Sequence, residues 1–257
     1  MTTKTWVIFA AVVVALFGGL IYLSTKNGVD VSDVDAASVQ VADERSGNIA
    51  DHTLGNIKSK VVLIEYGDYQ CPGCGSAYEP LKIVSEKYKD HMVFIFRNFP
   101  LVSIHPNARA GAAAAEAAGL MGKYWEMHDL LYANQSAWES ANATNRNTVF
   151  EGFASQIGLD TKKFASTLRE KSEVINQKIS FDQALGSKVG VTGTPALYLN
   201  GKVVDQYVLD GKIVPAKTDG AAAVWSDAEM LDKFVLQPAF KEAGIDVSAL
   251  SKESTEK

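Results

Sequence analysis

Residues 61–74 read VVLIEYGDYQCPGC, and the fold turns on this stretch. Val61-Val62-Leu63-Ile64-Glu65-Tyr66 is a short, apolar, β-branched run, the pattern of a buried strand. Cys71-Pro72-Gly73-Cys74 follows and opens a helix reaching about Lys89. Ala77, Leu81, Val84 and Tyr88 share one face of that helix, and Pro80 is expected to kink it. A C-x-x-C between strand and helix sets both cysteines in the first helical turn. Their spacing brings them onto one face, close enough for an S–S bond. Cys71, at the helix N-terminus, meets unpaired N–H groups and the positive end of the dipole, which favour thiolate over thiol. Thiolate is both the attacking and the better leaving form. Pro72 suits the first helical position, where a missing N–H costs nothing. Cys74 lies deeper and is placed to resolve a mixed disulfide made at Cys71.

The bulk composition agrees with a chemical rather than a stapling use of these cysteines. They are the two cysteines of a 257-residue chain, too close together to tie distant regions of a fold. With a formal net charge of -5 and no Lys/Arg cluster, no nucleic-acid partner is expected. A zinc site needs four ligands; there is no second cysteine pair, and His52, His91, His105 and His128 are scattered. Neither metal nor cofactor is expected. His105 and His128 read as surface or core residues, and Tyr124, Trp125 and Met127 as packing.

Two further features bear on chemistry. Strand alternation puts Glu65 on the face of Val61 and Leu63, where a carboxylate is costly without a task or a partner. Six residues before Cys71, it is positioned to exchange a proton with Cys74; the plainer alternative is a strand-end carboxylate reaching solvent. Thr194-Pro195 precedes the strand Ala196–Leu199. A trans proline in a turn is the bland reading. A cis bond would bring the Thr194 backbone beside the cysteines, where an extended substrate could pair with it by strand addition.

Outward from this centre, Met92–Arg97 reads as a second strand, and residues 104–187 are helical in pattern. Expected helices are Lys123–Ala133, Thr148–Gln156 and a broken Thr161–Leu185. The Ala-rich run Ala112–Ala118, which contains Glu116, suggests close helix packing. Asn200-Gly201 between the strand runs Ala196–Leu199 and Val203–Tyr207 signals a hairpin. A last helix is expected over Ser226–Ala243, with Ser226 and Asp227 as cap candidates. At the other end, Trp6–Leu23 is an uncharged apolar run spanning roughly 27 Å as a helix, close to the hydrocarbon thickness of a bilayer. It reads as a retained anchor in preference to a cleaved signal, whose apolar region is shorter and ends in small residues. Residues 24–50 are polar and aperiodic and read as a tether.

Taken together, LGNIKSKVVLIEYGDYQCPGCGSAYEPLK, FRNFPLVSIHPNARAGAAAAEAAGLMGKYWEMHDLLYANQ and VTGTPALYLNGK resemble the DsbA-like branch of the thioredoxin superfamily over roughly Leu54–Ala243. The resemblance implies an α/β thioredoxin-like fold with an inserted helical domain, preceded here by one transmembrane helix. The expected organisation is a cytoplasmic tail (1–5), an anchor (6–23) and a tether (24–50). A first thioredoxin-like segment (51–103), the helical insert (104–187), a second thioredoxin-like segment (188–245) and a flexible tail (246–257) follow. The resemblance further implies that Cys71 is the nucleophile, Cys74 the resolving thiol, Glu65 a buried acid and Thr194-Pro195 the cis-proline substrate loop. It implies a bacterial protein-disulfide oxidoreductase that oxidises reduced exported proteins outside the cytoplasm. Reoxidation would come from a quinone-linked membrane thiol oxidase, DsbB- or VKOR-like. The dipeptide between the cysteines is Pro-Gly where the best-known oxidant has Pro-His. A reduction potential between roughly -270 and -120 mV, nearer the oxidising end, is therefore expected. A reductase or isomerase running the other way, or a thioredoxin-fold chaperone, are the alternatives. The anchor and tether stand where an isomerase's dimerisation domain would be.

Overall fold

The computed structural model describes residues 28–215 and 218–248, together with residues 6, 9, 10, 12–14 and 17. Among these no helix is long and apolar enough to cross a membrane. The anchor read at residues 6–23 lies mostly outside the described residues.

The apolar run at residue 61 becomes the centre of a sheet. Its strands are β1 (His52–Gly55), β2 (Val62–Gly67), β3 (Val93–Asn98), β4 (Ala196–Leu199) and β5 (Lys202–Val204), in the order β1-β3-β2-β4-β5. β2 and β3 are parallel, and the other neighbours are antiparallel. A parallel pair needs a crossover, which helix α1 (Pro72–Lys87) supplies; it runs unbroken through Pro80. Asn200 and Gly201 both have positive φ, 49° and 78°, the left-handed pair that a two-residue hairpin turn demands. Since β2 is covered on both faces, its side chains divide between two cores. Val61 and Leu63 pack with α1 and the helical insert, whereas Ile64 and Tyr66 face the opposite side.

Between β3 and β4 lies the helical insert: α2 (Ala108–Gly119), α3 (Tyr124–Ala133), α4 (Ala143–Gln156), α5 (Thr161–Glu170) and α6 (Ser172–Lys188). The expected break within Thr161–Leu185 falls at Lys171. Ala112, Ala114, Ala115, Ala117 and Ala118 are all buried. Their small side chains allow close helix approach around Glu116, itself fully buried and bonded by His52 and Asn98.

Three expectations need correction. Residues 28–50 are not a free tether. Val31, Val34 and Ala36 are buried against Ile64, Tyr66 and Ile95. Arg97 donates to the carbonyls of Ala36 (2.6 Å) and Ser38 (2.7 Å), and Lys188 donates to those of Val31, Ser32 and Val34. The cause is the second apolar face of the sheet, which must be covered; two buried valines contribute roughly 1.5–3 kcal/mol each. The tail expected at 246–257 likewise starts too early, because Val247 is buried in the core; residues 249–257 lie outside the described residues. Lastly, the run Val203–Tyr207 divides between β5 and a second small sheet. That sheet comprises β6 (Tyr207–Leu209), β7 (Lys212–Val214) and β8 (Ala222–Ala223), ordered β7-β6-β8. The expected last helix is α7 (Ala228–Leu231), a π-helical turn (Asp232–Leu236) and α8 (Gln237–Ala243), capped by Asp227 through the Met230 N–H.

Candidate active site

The end of β2 and the start of α1 bring Cys71, Cys74 and Glu65 together, and the turn before β4 brings Thr194 and Pro195 to the same place. Cys71 is the N-cap of α1 with Pro72 at the first helical position. Both thiols are free. Cys71 Sγ donates to the Thr194 carbonyl at 3.3 Å, and the Thr194–Pro195 bond is cis. Gly73 faces the same turn. A Cβ there would lie 3.2 Å from Pro195 Cδ and 3.6 Å from Cys71 Sγ, so a side chain at this position would press the proline by a few tenths of an ångström.

The two sulfurs differ in character. Cys71 is pulled down to about 5, first by the hydrogen bond it receives from Cys74, then by the Thr194 side chain and by the backbone N–H groups of Cys74 and Gly73; burial works against these. All of these groups are uncharged, so the missing cation between the cysteines is made good by neutral neighbours. Cys74 is fully buried and pushed well above the ordinary thiol range, mainly by burial, then by Cys71 and Glu65. The Asp68 N–H reaches its sulfur at 3.4 Å.

Glu65 sits in the middle of β2, opposite Phe96 on β3 and Leu197 on β4, and is 2% exposed. The reading of a carboxylate reaching solvent is thereby set aside. Its Oε1 has no hydrogen-bond partner among the described residues. Burial, followed by the negative charge on Cys71, pushes it up to about 8. At neutral pH it is therefore mostly a carboxylic acid, able to give a proton to Cys74 and, at higher pH, to take one back.

Sequence reasoning missed the residues that hold this turn in place. Gln135, following α3, donates from Nε2 to the carbonyls of Tyr69 (2.8 Å) and Cys71 (3.0 Å), clamping the turn to the insert. Nothing in the local pattern marks it. Asp68 was more legible: its Oδ1 accepts from the Gln70 N–H, a side-chain turn of a familiar type. Its Oδ2 accepts from Leu101 N–H and lies 2.8 Å from His105 Nδ1, fixing the loop after β3. His105 thus holds a loop, and His128 sits buried in a ring of aromatic side chains.

A thioredoxin family model matches residues 47–211. Among curated proteins, the Na(+)/H(+) antiporter NhaA 1 of Salinispora arenicola is 34% identical over 145 residues, which are 56% of this chain and 21% of that protein. The chain thus spans about a fifth of the length of the curated relatives it matches. Among solved structures, alpha-DsbA1 of Wolbachia pipientis has a TM-score of 0.57 at 21% identity, covering 75% of this chain and 92% of that one. Oxidised BdbD of Bacillus subtilis has a TM-score of 0.53 at 19% identity, covering 81% and 98%. At these identities the likeness is one of fold.

Proposed function

Because the chain belongs to the thioredoxin family and has a DsbA-like fold, we propose that it introduces disulfides into exported proteins by exchange through Cys71 and Cys74. The observation that carries this reading is the asymmetry of the two sulfurs. One is a stabilised thiolate at a helix N-terminus beside Thr194-Pro195, and the other is a buried thiol beside a cation-free acid. A stabilised thiolate favours the reduced enzyme and so makes its disulfide an oxidant.

A substrate thiolate attacks Cys71 Sγ of the oxidised pair, and the Cys71–Cys74 bond breaks. Cys74 leaves as a thiolate and takes the Glu65 proton. A second substrate thiolate then attacks the substrate sulfur of the mixed disulfide and releases Cys71 as a thiolate. The substrate dithiol loses two electrons to the cysteine pair. Of its two protons, one ends on the Cys74–Glu65 side and the other in solvent. Reoxidation reverses the flow, and we assign that task to a quinone-linked membrane thiol oxidase of the DsbB or VKOR kind. Thr194 and Pro195 supply the edge on which an extended substrate lies. The apolar run at residues 6–23 supports a domain held at the cell membrane, and the disulfide chemistry, which belongs outside the cytoplasm, supports a cytoplasmic N-terminus with the domain on the outer face. Cell fractionation checks it, and a soluble extracytoplasmic protein beginning beyond Leu23 contradicts it.

Two measurements test the reading. Cys74→Ser should accumulate mixed disulfides with exported proteins, and Cys71→Ser should not; trapping by the reverse variant refutes the roles. Thermal melts at pH 7 should place the reduced protein above the oxidised one. Cys71, lowered to about 5 against an unfolded thiol near 8.5, stabilises the reduced fold fully above that upper value. The stabilisation is lost as pH falls through about 5, so the gap should narrow in acid. An oxidised form that melts higher at pH 7 would favour a reductase.

A further inference from the structure

Oxidation through Cys71 and Cys74 moves a proton on and off a pair of groups that have next to no contact with solvent. Cys74 is 0% exposed and Glu65 2%. Some path must carry that proton, and the surroundings of Glu65 supply the components of one. A small cavity of about 20 Å³ is lined by Glu65, His128, Tyr78, Lys82 and Asp129 together with apolar side chains. That volume matches one water molecule, which needs two or more polar partners to be held. Two lining residues carry buried polar atoms with no partner among the described residues: Glu65 Oε1 and His128 Nε2. On the far side of the ring, His128 Nδ1 lies 3.4 Å from Asp129 Oδ1. The Asp129 side chain is 34% exposed and is paired with the half-exposed Lys82.

We propose that His128 and Asp129 form the route between the buried Cys74–Glu65 pair and solvent, with one water in the cavity joining Glu65 to His128 Nε2. The inference rests on the function proposed above and names positioning residues for it. During reoxidation Glu65 passes its proton through the water to Nε2, the Nδ1 proton moves toward Asp129 and on to bulk water, and the emptied Glu65 carboxylate takes the proton of Cys74 as that sulfur attacks. During substrate oxidation the flow reverses: Glu65 protonates the Cys74 thiolate and is refilled from solvent through Asp129 and His128.

The environment suits a ring that stays neutral between transfers. Burial holds His128 below its ordinary range, partly offset by Asp129. The titratable groups packed around it are Tyr69, Tyr78, Tyr124 and Tyr132, all pushed upward by burial and so uncharged at neutral pH. Charge reaches it from Asp129 and, more weakly, from Lys82 and from His52, which stacks on Tyr124. A purely structural histidine in an aromatic ring would be served by phenylalanine. Here a ring nitrogen without a partner among the described residues belongs to a residue that lines the same cavity as Glu65.

The test uses the full-length chain carrying a glutathione mixed disulfide at Cys71, and follows release of glutathione by Cys74 across pH. His128→Phe should slow this step roughly tenfold, below the about hundredfold or more of direct acid–base assistance because a proton path and not the acid itself is removed, and raise its solvent deuterium isotope effect. Asp129→Asn should act in the same direction but less. In the reduced protein, titration of the Cys71 thiolate, to which neither His128 nor Asp129 contributes, should stay as in the wild type. If His128→Phe does not fold, His128→Gln carries the same comparison, with a smaller expected loss. Glu65→Gln separates the two levels of the claim. If it slows release while the His128 and Asp129 variants keep the wild-type rate and pH profile, the route is wrong and the function stands. If Glu65→Gln is also without effect and Cys74→Ser traps no partners, the function itself fails and the route falls with it.

Discussion

Asp51 and Glu65 are carboxylates on the same sheet system, both closed off from water, and they behave in opposite ways. Burial pushes Asp51 up, but Lys178 and Arg97 pull it down to about 2. Both cations are themselves fully buried, at 3.1 Å and 2.8 Å from its oxygens. Glu65 is paired with no cation among the described residues, and burial, with the charge on Cys71 adding to it, carries it to about 8. Depth in the fold is nearly equal in the two places; the neighbours decide. Asp51 belongs to a network that ties β1, β3 and α6 together, with Asp182 completing the pairing of Lys178 at 2.7 Å. Such a group is locked in one charge state. Glu65 is left free to change state near neutral pH, which a proton-handling group beside Cys74 requires.

The most forceful way to break this contrast is to make Asp51 resemble Glu65. Arg97→Met or Lys178→Met leaves a buried charge uncompensated and should cost about 3–5 kcal/mol of stability in urea melts. Activity per folded molecule should be little changed. A loss below about 1 kcal/mol would mean that the network relaxes and that the pairing does not fix Asp51. In the wild type the Asp51 contribution should be present above the unfolded carboxylate range near 3.9 and disappear as pH falls toward about 2.

A smaller effect sharpens the contrast at the site itself. In the reduced protein, Cys71 is ionised above about 5 and Glu65 is protonated below about 8, the reverse of the unfolded chain across much of that range. Cys71 makes stability rise with pH between about 5 and 8.5, whereas Glu65 makes it fall between about 4.5 and 8. Each slope is at most about 1.4 kcal/mol per pH unit, and the two oppose one another. Reduced Glu65→Gln should therefore gain a rising slope relative to wild type, and reduced Cys71→Ser a falling one. Equal slopes in all three proteins would mean that neither group is shifted, and a variant that alone keeps the wild-type slope identifies the unshifted one.

The smallest expected effect concerns the clamp. Gln135→Ala removes donors to the Tyr69 and Cys71 carbonyls and should cost roughly 1–2 kcal/mol. The Cys71 titration should stay near about 5, because the groups that lower it lie within α1 and at Thr194. A large upward move of that midpoint would assign the thiolate's stability to the rigidity of the turn.

Short-range rules were legible in the chain alone. The apolar run with C-x-x-C at its end specified strand, helix N-terminus and the placing of both sulfurs, and Asn200-Gly201 specified a tight hairpin. Alternation put Glu65 on the inner face, and residues 104–187 were legible as helical. Everything else waited on contacts between distant positions. The Thr194 carbonyl meets Cys71 across 123 positions, and Lys178 meets Asp51 across 127. Arg97 reads as the polar end of a strand, yet it is wholly buried because Asp51, Tyr66 and two carbonyls of the N-terminal segment surround it. That segment looked like a tether because its few valines lack periodicity; their fate depended on an uncovered sheet face formed by residues far along the chain. Periodicity and caps are properties of neighbours in sequence. Desolvation and charge pairing are properties of neighbours in space, and these set whether a buried acid is fixed or free to exchange its proton.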